Sequence, residues 1–529
     1  MSAAWRVAIA AAVLLAGGCG GTTPGAGAPR PGAATLRRGN GPEPDSLDPQ
    51  LARSDSAANI LRDLYEGLAS LDARAAPAPG AAARWEVSAD GLSYTFVLRD
   101  GVRWSNGAPL LAADFVAAWR RLVDPRSGSQ YAQVLEPVAN AAEIIAGRAP
   151  PATLGVSAAD ARTLIVRLRA PTAYFPGLVA HWSTFPTYRG AAPAPHGPRI
   201  SNGAFTLTEW VVGSHVLLAR NRSYWNDAAT QLAAVRHEHV ADANDEYTRY
   251  RAGGLDATYT LPQQPLTRLA AAHGAELRVS SQLGLNYYGF NLERPPFRGA
   301  AGLRRALAMS IDRERLVTSV TGLGELPAYA WVPPGTANYS PQRFAWAALP
   351  SAERLAEARR LYAAAGYSAA RPLKIELRFP TGAAHERTAI AVAAMWKSTL
   401  GVETRLAAEE FKSLLQTINR GEAELFRSSW IGDYNDAYTF AQVLGSDFGI
   451  NLVRYRNPAY DATLAAAARE PDAERRRGLL EDAERAMLAD TPVIPLYFIV
   501  NKHLVAPRVR GWYDNVMNVV YSKDLALVP

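Results

Sequence analysis

The sequence predicts a mixed α/β fold with more than one domain, and three observations carry that prediction. Strand-like and helix-like stretches alternate irregularly, without a strict strand–helix–strand rhythm. The 529 residues correspond to roughly two to four domains' worth of chain. No period of roughly 20–50 residues repeats, which argues against solenoids and propellers.

The elements follow in chain order. Residues 1–19, MSAAWRVAIAAAVLLAGGC, have a positive start (the Met1 amine and Arg6), an apolar stretch from Val7 to Ala16, then Gly17, Gly18 and Cys19. A run of roughly ten apolar residues is too short to span a bilayer but fits the core of an export signal. The small-small-Cys ending resembles a bacterial lipobox, in which the cysteine becomes the lipid-bearing N-terminus. Leu15 stands four residues before Cys19, and Ala16 takes the place where Leu is usual. The alternative is an ordinary signal peptide with an incidental Cys. Residues 20–35, rich in Gly, Pro, Ala and Thr, have little to bury and read as a flexible tether.

Beyond the tether, SYTFVLR (93–99) alternates apolar and polar residues over a strand length, with Asp100-Gly101 as its turn. TLIVRLR (163–169), SHVLLAR (214–220) and LKIELRF (373–379) read the same way. Helical spacing appears at 110–123, 302–317, 351–365, 386–400 and 471–489. Ser351 is a candidate N-cap and Gly366 a candidate C-terminal stop.

Composition removes several function classes. Apolar residues make up 48% and charged residues 20%, a globular balance. The single cysteine, Cys19, cannot form an internal disulfide, a Cys-rich zinc site or an iron–sulfur cluster. The formal charge of +7 is compatible with nucleic-acid binding. However, only five of the 56 basic residues are Lys (Lys374, Lys397, Lys412, Lys502 and Lys523). The Arg and Ala excess suggests a GC-rich genome, and the cations are dispersed among 49 acids, so no nucleic-acid partner is expected. There is no HExxH, GxSxG, P-loop or CxxC. His237 and His239 are misspaced for one helix face, and no His cluster suggests a metal. Absent motifs do not exclude catalysis but move weight toward binding; together with a family resemblance, the expectation is a non-enzyme with no cofactor.

Several segments carry a family resemblance. LRRGNGPEPDSLDPQLA (36–52) and ILRDLYEGLASLD (60–72) open it. RWEVSADGLSYTFVLRDGVRWSNGAPLLAADFVAAWRRLVDP (84–125) is the most diagnostic stretch. SNGAFTLTEWVVGSHVLLARNRSYWN (201–226), YYGFNLERPPFRGAAGLRRALAMSIDRERLV (287–317), RSSWIGDYNDAYTF (427–440) and DTPVIPLYFIVNKHLVAPRVRGW (490–512) follow in order. Together they resemble the family 5, or oligopeptide-binding, solute-binding proteins of peptide ABC transporters, from about residue 36 to the end.

The resemblance implies a two-lobed periplasmic-binding-protein-like fold with a hinge between the lobes. Lobe 1 is expected from 36–72, 191–283 and 500–529, with 73–190 as its extra domain. Lobe 2 is expected from 284–499. The partners it implies are an oligopeptide ligand and a membrane permease with its ATPase subunits. It places a monomer in the bacterial cell envelope, held to the membrane through lipid on Cys19.

A receptor tolerant of peptide sequence must bind what every peptide shares: main-chain amides, the terminal ammonium and the terminal carboxylate. Side chains then enter roomy, hydrated pockets. By resemblance, Asp433 pairs with the ligand's α-ammonium, whereas from the residues alone it reads as a turn cap. Ser429, Trp430 and Ile431 are expected to supply main-chain pairing and contact area, although Trp430 alone reads as core. Ala437 stands where the family often has Pro. Arg427, His385 and Arg420 are the candidate cations for the ligand carboxylate, and Tyr131 is a candidate contact from the extra domain. For each Arg the plain alternative is a solvated face. Other members of the class bind dipeptides, haem, metal chelates or sugars. An envelope peptide hydrolase and a peptide-sensing receptor are the other readings. The hydrolase rests only on size, export and a cleft.

Overall fold

A computed structural model describes residues 35–193 and 199–528. The signal segment, Cys19 and nearly all of the tether lie outside the described residues. Thr35 already belongs to the first strand, Thr35–Gly39, so the tether ends one residue earlier than expected.

Two large apolar cores organise the chain. One draws on residues between Leu36 and Ala257, joined by Val505, Val509 and Leu525 from the C-terminal end. The other draws on residues between Leu283 and Phe498, joined by Val516. Each core holds one residue from the opposite region: Tyr434 sits in the first and Ala75 in the second. These exchanges mark where the two lobes touch.

The first core is covered by two sheets. In one, Thr35–Gly39 runs parallel to Ala234–Glu238, and the antiparallel strands His215–Arg220 and Phe205–Val211 follow. The other is antiparallel, in the order Ala82–Val87, Ser93–Leu98, Thr163–Arg167 and Val156–Ala158. The predicted alternation is visible there: Tyr94, Phe96 and Leu98 are buried, and the residues between them are partly exposed. The second core surrounds a mixed sheet of six strands. Its order is Leu326–Pro327, Val493–Leu504, Leu277–Phe290, Leu425–Ile431, Lys374–Pro380 and Glu403–Glu409.

Two of those strands are long and pass between the lobes. The Leu277 end of Leu277–Phe290 pairs with Leu504, next to a small cluster of Tyr250, Leu255 and Leu504. The Phe290 end lies inside the second core. Their pairing breaks register between Ser281 and Leu285, and the Leu283 amide there donates to the Val516 carbonyl at 2.7 Å. A ladder interrupted at this point bends more readily than a continuous one.

The predicted helices form, with two corrections. The helix Ser351–Ala364 begins at Ser351 itself; Pro350 occupies the cap position and no side chain caps it. Proline already lacks the N–H that a helix start leaves unpaired. Gly366, at φ 86°, does terminate it. The 302–317 stretch is not one helix. Ala301–Met309 stops, and a new turn restarts where the Asp312 side chain accepts from the Arg315 amide at 2.9 Å. A local cap competes here with continuation of the helix.

Candidate functional site

A cavity of about 570 Å³ lies between the two regions. Its walls come from four places. The helix Asp55–Leu64 contributes Asp55, Asn59 and Arg62, spaced four and three residues apart on one face. Ser54 starts that helix by accepting from the Ala57 amide at 3.2 Å, and its opposite face is packed into the first core. Tyr131, Tyr174, His181 and Trp182 form a second wall. The chain from Ile431 to Asp436 forms the third. Gln282 at the register break and Met517-Asn518-Val519 complete the floor.

The third wall grows out of strand geometry. Leu425–Ile431 pairs along its length with Leu277–Phe290, with Ile431 opposite Gly284 and Phe426 opposite Gly289. Its other neighbour, Lys374–Pro380, pairs only at Leu425 and Phe426. The Gly432 amide donates to the Leu283 carbonyl at 2.8 Å. In an antiparallel ladder, hydrogen-bonded positions alternate. The main-chain groups of Arg427, Ser429 and Ile431 therefore face away from the Leu277–Phe290 partner. Among the described residues nothing pairs with that edge beyond Phe426. It is an open β-edge leading straight to Asp433.

Asp433 has the character of an anion without a counterion. Its backbone amide contacts Thr439 Oγ1 at 3.4 Å, while its carboxylate has no hydrogen bond or ion pair among the described residues. The side chain is open to the cavity yet crowded by protein atoms, and partial desolvation raises its pKa above the ordinary carboxylate value. The turn-capping role falls to Asp436 instead. Asp436 accepts from the Tyr438 amide at 2.8 Å and from both terminal nitrogens of Arg476, at 2.6 and 2.8 Å. Asn435 bridges the lobes. It donates to the Arg74 and Ala75 carbonyls at 3.3 and 3.2 Å and accepts from the Ala337 amide at 2.9 Å.

The other expected residues divide. Tyr131 lines the cavity, with its ring 4.9 Å from His181 and 5.3 Å from Trp182. Burial and the charges of Asp55, Asp433 and Asp45 raise its hydroxyl pKa. Ile431 lines the cavity and is 53% exposed, which is unusual for an isoleucine with nothing to meet. Ser429 is exposed on the open-edge strand. Trp430 packs half-buried against the second core, and its indole nitrogen has no partner among the described residues.

Arg427 and His385 lie within electrostatic reach of each other but outside the cavity lining. Arg427 is hydrogen-bonded to Asn286, and burial lowers its pKa. Burial, then the Arg427 charge, lowers the pKa of His385. Arg420 is on the surface, paired with Glu422 at 2.8 and 3.0 Å, and is not brought to the cavity.

Sequence reading missed Asp55, Asn59, Arg62, His181, Trp182 and the aromatic stack. Three polar residues at helix-face spacing, Asp55, Asn59 and Arg62, were the available signal for the first three, blurred by the further polar residues Ser56 and Asp63 on the packed face. His181-Trp182 carries no such signal. Tyr174 stacks on Tyr434 at 4.5 Å and on Tyr438 at 5.2 Å, joining the second wall to the third.

Two lobes around a cleft, crossing strands with an interrupted ladder and an open β-edge ending at an unpaired carboxylate define a two-lobed solute-binding protein. The chain belongs to the bacterial extracellular solute-binding proteins, family 5, whose model matches residues 76–451. Members of this family are binding proteins of peptide ABC transporters, not enzymes.

Three relatives place it further. The periplasmic murein peptide-binding protein MppA of Escherichia coli is 36% identical, with 92% of each chain aligned. The unliganded open form of MppA superposes with a TM-score of 0.87 at 35% identity, covering 94% of this chain and 98% of that one. The periplasmic oligopeptide-binding protein OppA of Haemophilus influenzae is 35% identical over 92% of this chain and 93% of its own. Its complex with the peptide RPPGFSPFR gives a TM-score of 0.72 at 33% identity, covering 94% and 99%. The probable deoxycholate-binding periplasmic protein YgiS of Escherichia coli is 38% identical over 93% of each chain.

Proposed function

We propose that this protein captures oligopeptides outside the cytoplasm and delivers them to an ABC permease. The observation that carries this reading is the unpaired Asp433 carboxylate at the end of the open strand edge. An extended peptide adding a strand at Arg427–Ile431 would bring its terminal ammonium toward that anion. Partial desolvation makes the ion pair stronger than the same pair in water.

In this reading Ser429 and Ile431 supply main-chain pairing, Trp430 and Tyr131 supply contact area, and Arg427 with His385 await the carboxylate of longer ligands. Arg420, already held by Glu422, is the weakest candidate. The proposed division into lobes is 36–72 with 191–283 and 500–529, the extra domain 73–190, and lobe 2 from 284–499. The proposed anchor is lipid on Cys19 after signal removal, holding a monomeric receptor at the bacterial envelope. Mass spectrometry of the mature N-terminus tests it; an unmodified Cys19 removes the anchor and leaves the receptor.

Calorimetry with tri- to pentapeptides tests the ligand. Asp433→Ala is expected to weaken binding by about 2–5 kcal/mol. Equal affinity for N-acetylated and free peptides would overturn the ammonium assignment. The name of YgiS supports a second reading, an amphipathic organic acid. Titration with deoxycholate under the same conditions separates the two.

A further inference from the structure

The charges lining the cavity are unevenly satisfied. Arg476 is consumed by Asp436 through two hydrogen bonds. His181 is held neutral: burial, and secondarily the Arg62 charge, lower it from 6.5 to about 3. Arg62 is different. Among the described residues no carboxylate pairs with it.

Its guanidinium lies 5.3 Å from the centre of the Trp182 ring, and Nη1 donates to Asn59 Oδ1 at 3.3 Å. These contacts orient the group but do not neutralise it. A guanidinium has five N–H donors in a rigid fork, and one hydrogen bond leaves most of them free. The charge is felt across the wall, where it adds to the lowering that burial imposes on His181 and opposes the rise that burial and Asp55 impose on Tyr259.

A second observation points the same way. Trp182 also lines the cavity, is only 7% exposed, and its buried indole Nε1 has no acceptor among the described residues. An indole N–H can only donate. The wall thus carries two kinds of unanswered donor side by side, one of them cationic. A carboxylate, with two acceptor oxygens and a negative charge, is the group that answers the guanidinium and leaves an oxygen over for a neighbouring donor. A neutral amide offers one acceptor oxygen and adds N–H donors of its own. The candidate cations Arg427 and His385 lie outside this cavity and do not compete for such a group.

We propose that Arg62, with the Trp182 indole, forms a subsite for a ligand carboxylate within the same cavity as Asp433, making the site bipolar. The inference rests on the peptide reading of that cavity. Two sources supply the same chemistry: an acidic side chain near the peptide's amino terminus, or the terminal carboxylate of a short peptide. Arg62 then selects among peptides, while Asp433 holds the feature they all share.

The test is calorimetry on the purified full-length protein with trialanine and three peptide pairs carrying Glu or Gln at position one, two or three. Each is measured with a free and with an amidated C-terminus. In the unsubstituted protein we expect either a Glu-over-Gln preference at one position or a loss on amidation, of at least about tenfold. Arg62→Gln is expected to bring that ratio close to one. Arg62→Lys, which keeps the charge and loses the fork, is expected to retain part of it. N-acetyl trialanine reports separately on the Asp433 contact.

Peptides that bind with dependence on their free amine, but with no Glu preference and no amidation effect, would overturn the Arg62 subsite alone. The same ratio in Arg62→Gln as in the parent would do so too. No binding by any peptide overturns the peptide reading and this inference with it. If Arg62→Gln does not fold, the ratios in the parent and in Arg62→Lys decide.

Discussion

Asp433 shows how one residue type acquires two meanings three positions apart. Asp436 and Asp433 both sit in a turn-like stretch, yet Asp436 caps the turn and binds Arg476 while Asp433 is left open to the cavity. A pH dependence follows. Desolvation raises the Asp433 pKa above 3.8, and only its ionised form attracts an ammonium. Peptide affinity is therefore expected to fall on acidification at a pH higher than an exposed aspartate would give. The Asp433→Asn variant should be weak throughout and flat over that range. Calorimetry from pH 7 to pH 4 measures both; an equally steep fall in Asp433→Asn would place the titrating group elsewhere. His181 gives a stability prediction of definite sign. Unfolded, it binds a proton below its ordinary 6.5; folded, it resists until about 3. The unfolded state binds more protons across that window, so this residue's contribution is present above pH 6.5 and is lost as pH falls toward 3. His181→Gln should lose less stability than the parent protein over that interval in urea titrations.

The open edge of Leu425–Ile431 is a property of the element, not of any side chain in it. Ladder parity turns the main-chain groups of Arg427, Ser429 and Ile431 outward, and the short pairing with Lys374–Pro380, which ends at Phe426, leaves those of Ser429 and Ile431 free. If peptides bind by adding a strand here, methylating one ligand amide nitrogen in the paired register should cost roughly tenfold in affinity. Methylation one residue along, on the side facing away from the edge, should cost much less. A uniform loss along the peptide would argue against strand addition. The helix Asp55–Leu64 makes a similar point. Its apolar face is fixed by packing, and that packing turns Asp55, Asn59 and Arg62 toward the cavity. The neighbouring wall is held by a buried acid. Glu484 accepts from the Trp331, Val332 and Gln342 amides and from the Tyr339 hydroxyl, fixing the loop that brings Ala337 and Asn338 to the cavity.

At the scale of the molecule, the chain superposes on the unliganded open form of MppA with a TM-score of 0.87 and on the peptide complex of OppA with a TM-score of 0.72. The lobes already touch through Tyr174, stacked on Tyr434 and Tyr438, and through Asn435. Aromatic pairs of this kind contribute about 0.5–1.5 kcal/mol beyond their buried area. Tyr174→Ala is expected to widen the resting cleft and to lower peptide affinity by roughly three- to tenfold. Small-angle scattering should show a larger radius for the free variant, and the parent should contract when peptide is added. No contraction on peptide binding would remove the hinge from the mechanism.

The sequence by itself determined the class of protein, most of the regular elements and the segment that carries Asp433. Those features are local: alternation, helical spacing and a recognisable order of motifs within contiguous stretches. It missed the break after Met309, because a capping aspartate and a helical period compete within one turn of each other. It ranked Asp433 above Trp430 and both above Arg420, but could not place any of them relative to a cavity. Only the tertiary structure decided which of these residues share a cavity. It buried Arg427 beside Asn286, tied Arg420 to Glu422, and brought Arg62 and Trp182, 120 positions apart in the chain, into ring contact. The physical reason is that a cleft between lobes is assembled from distant segments, whose facing surfaces are set by how the two cores pack.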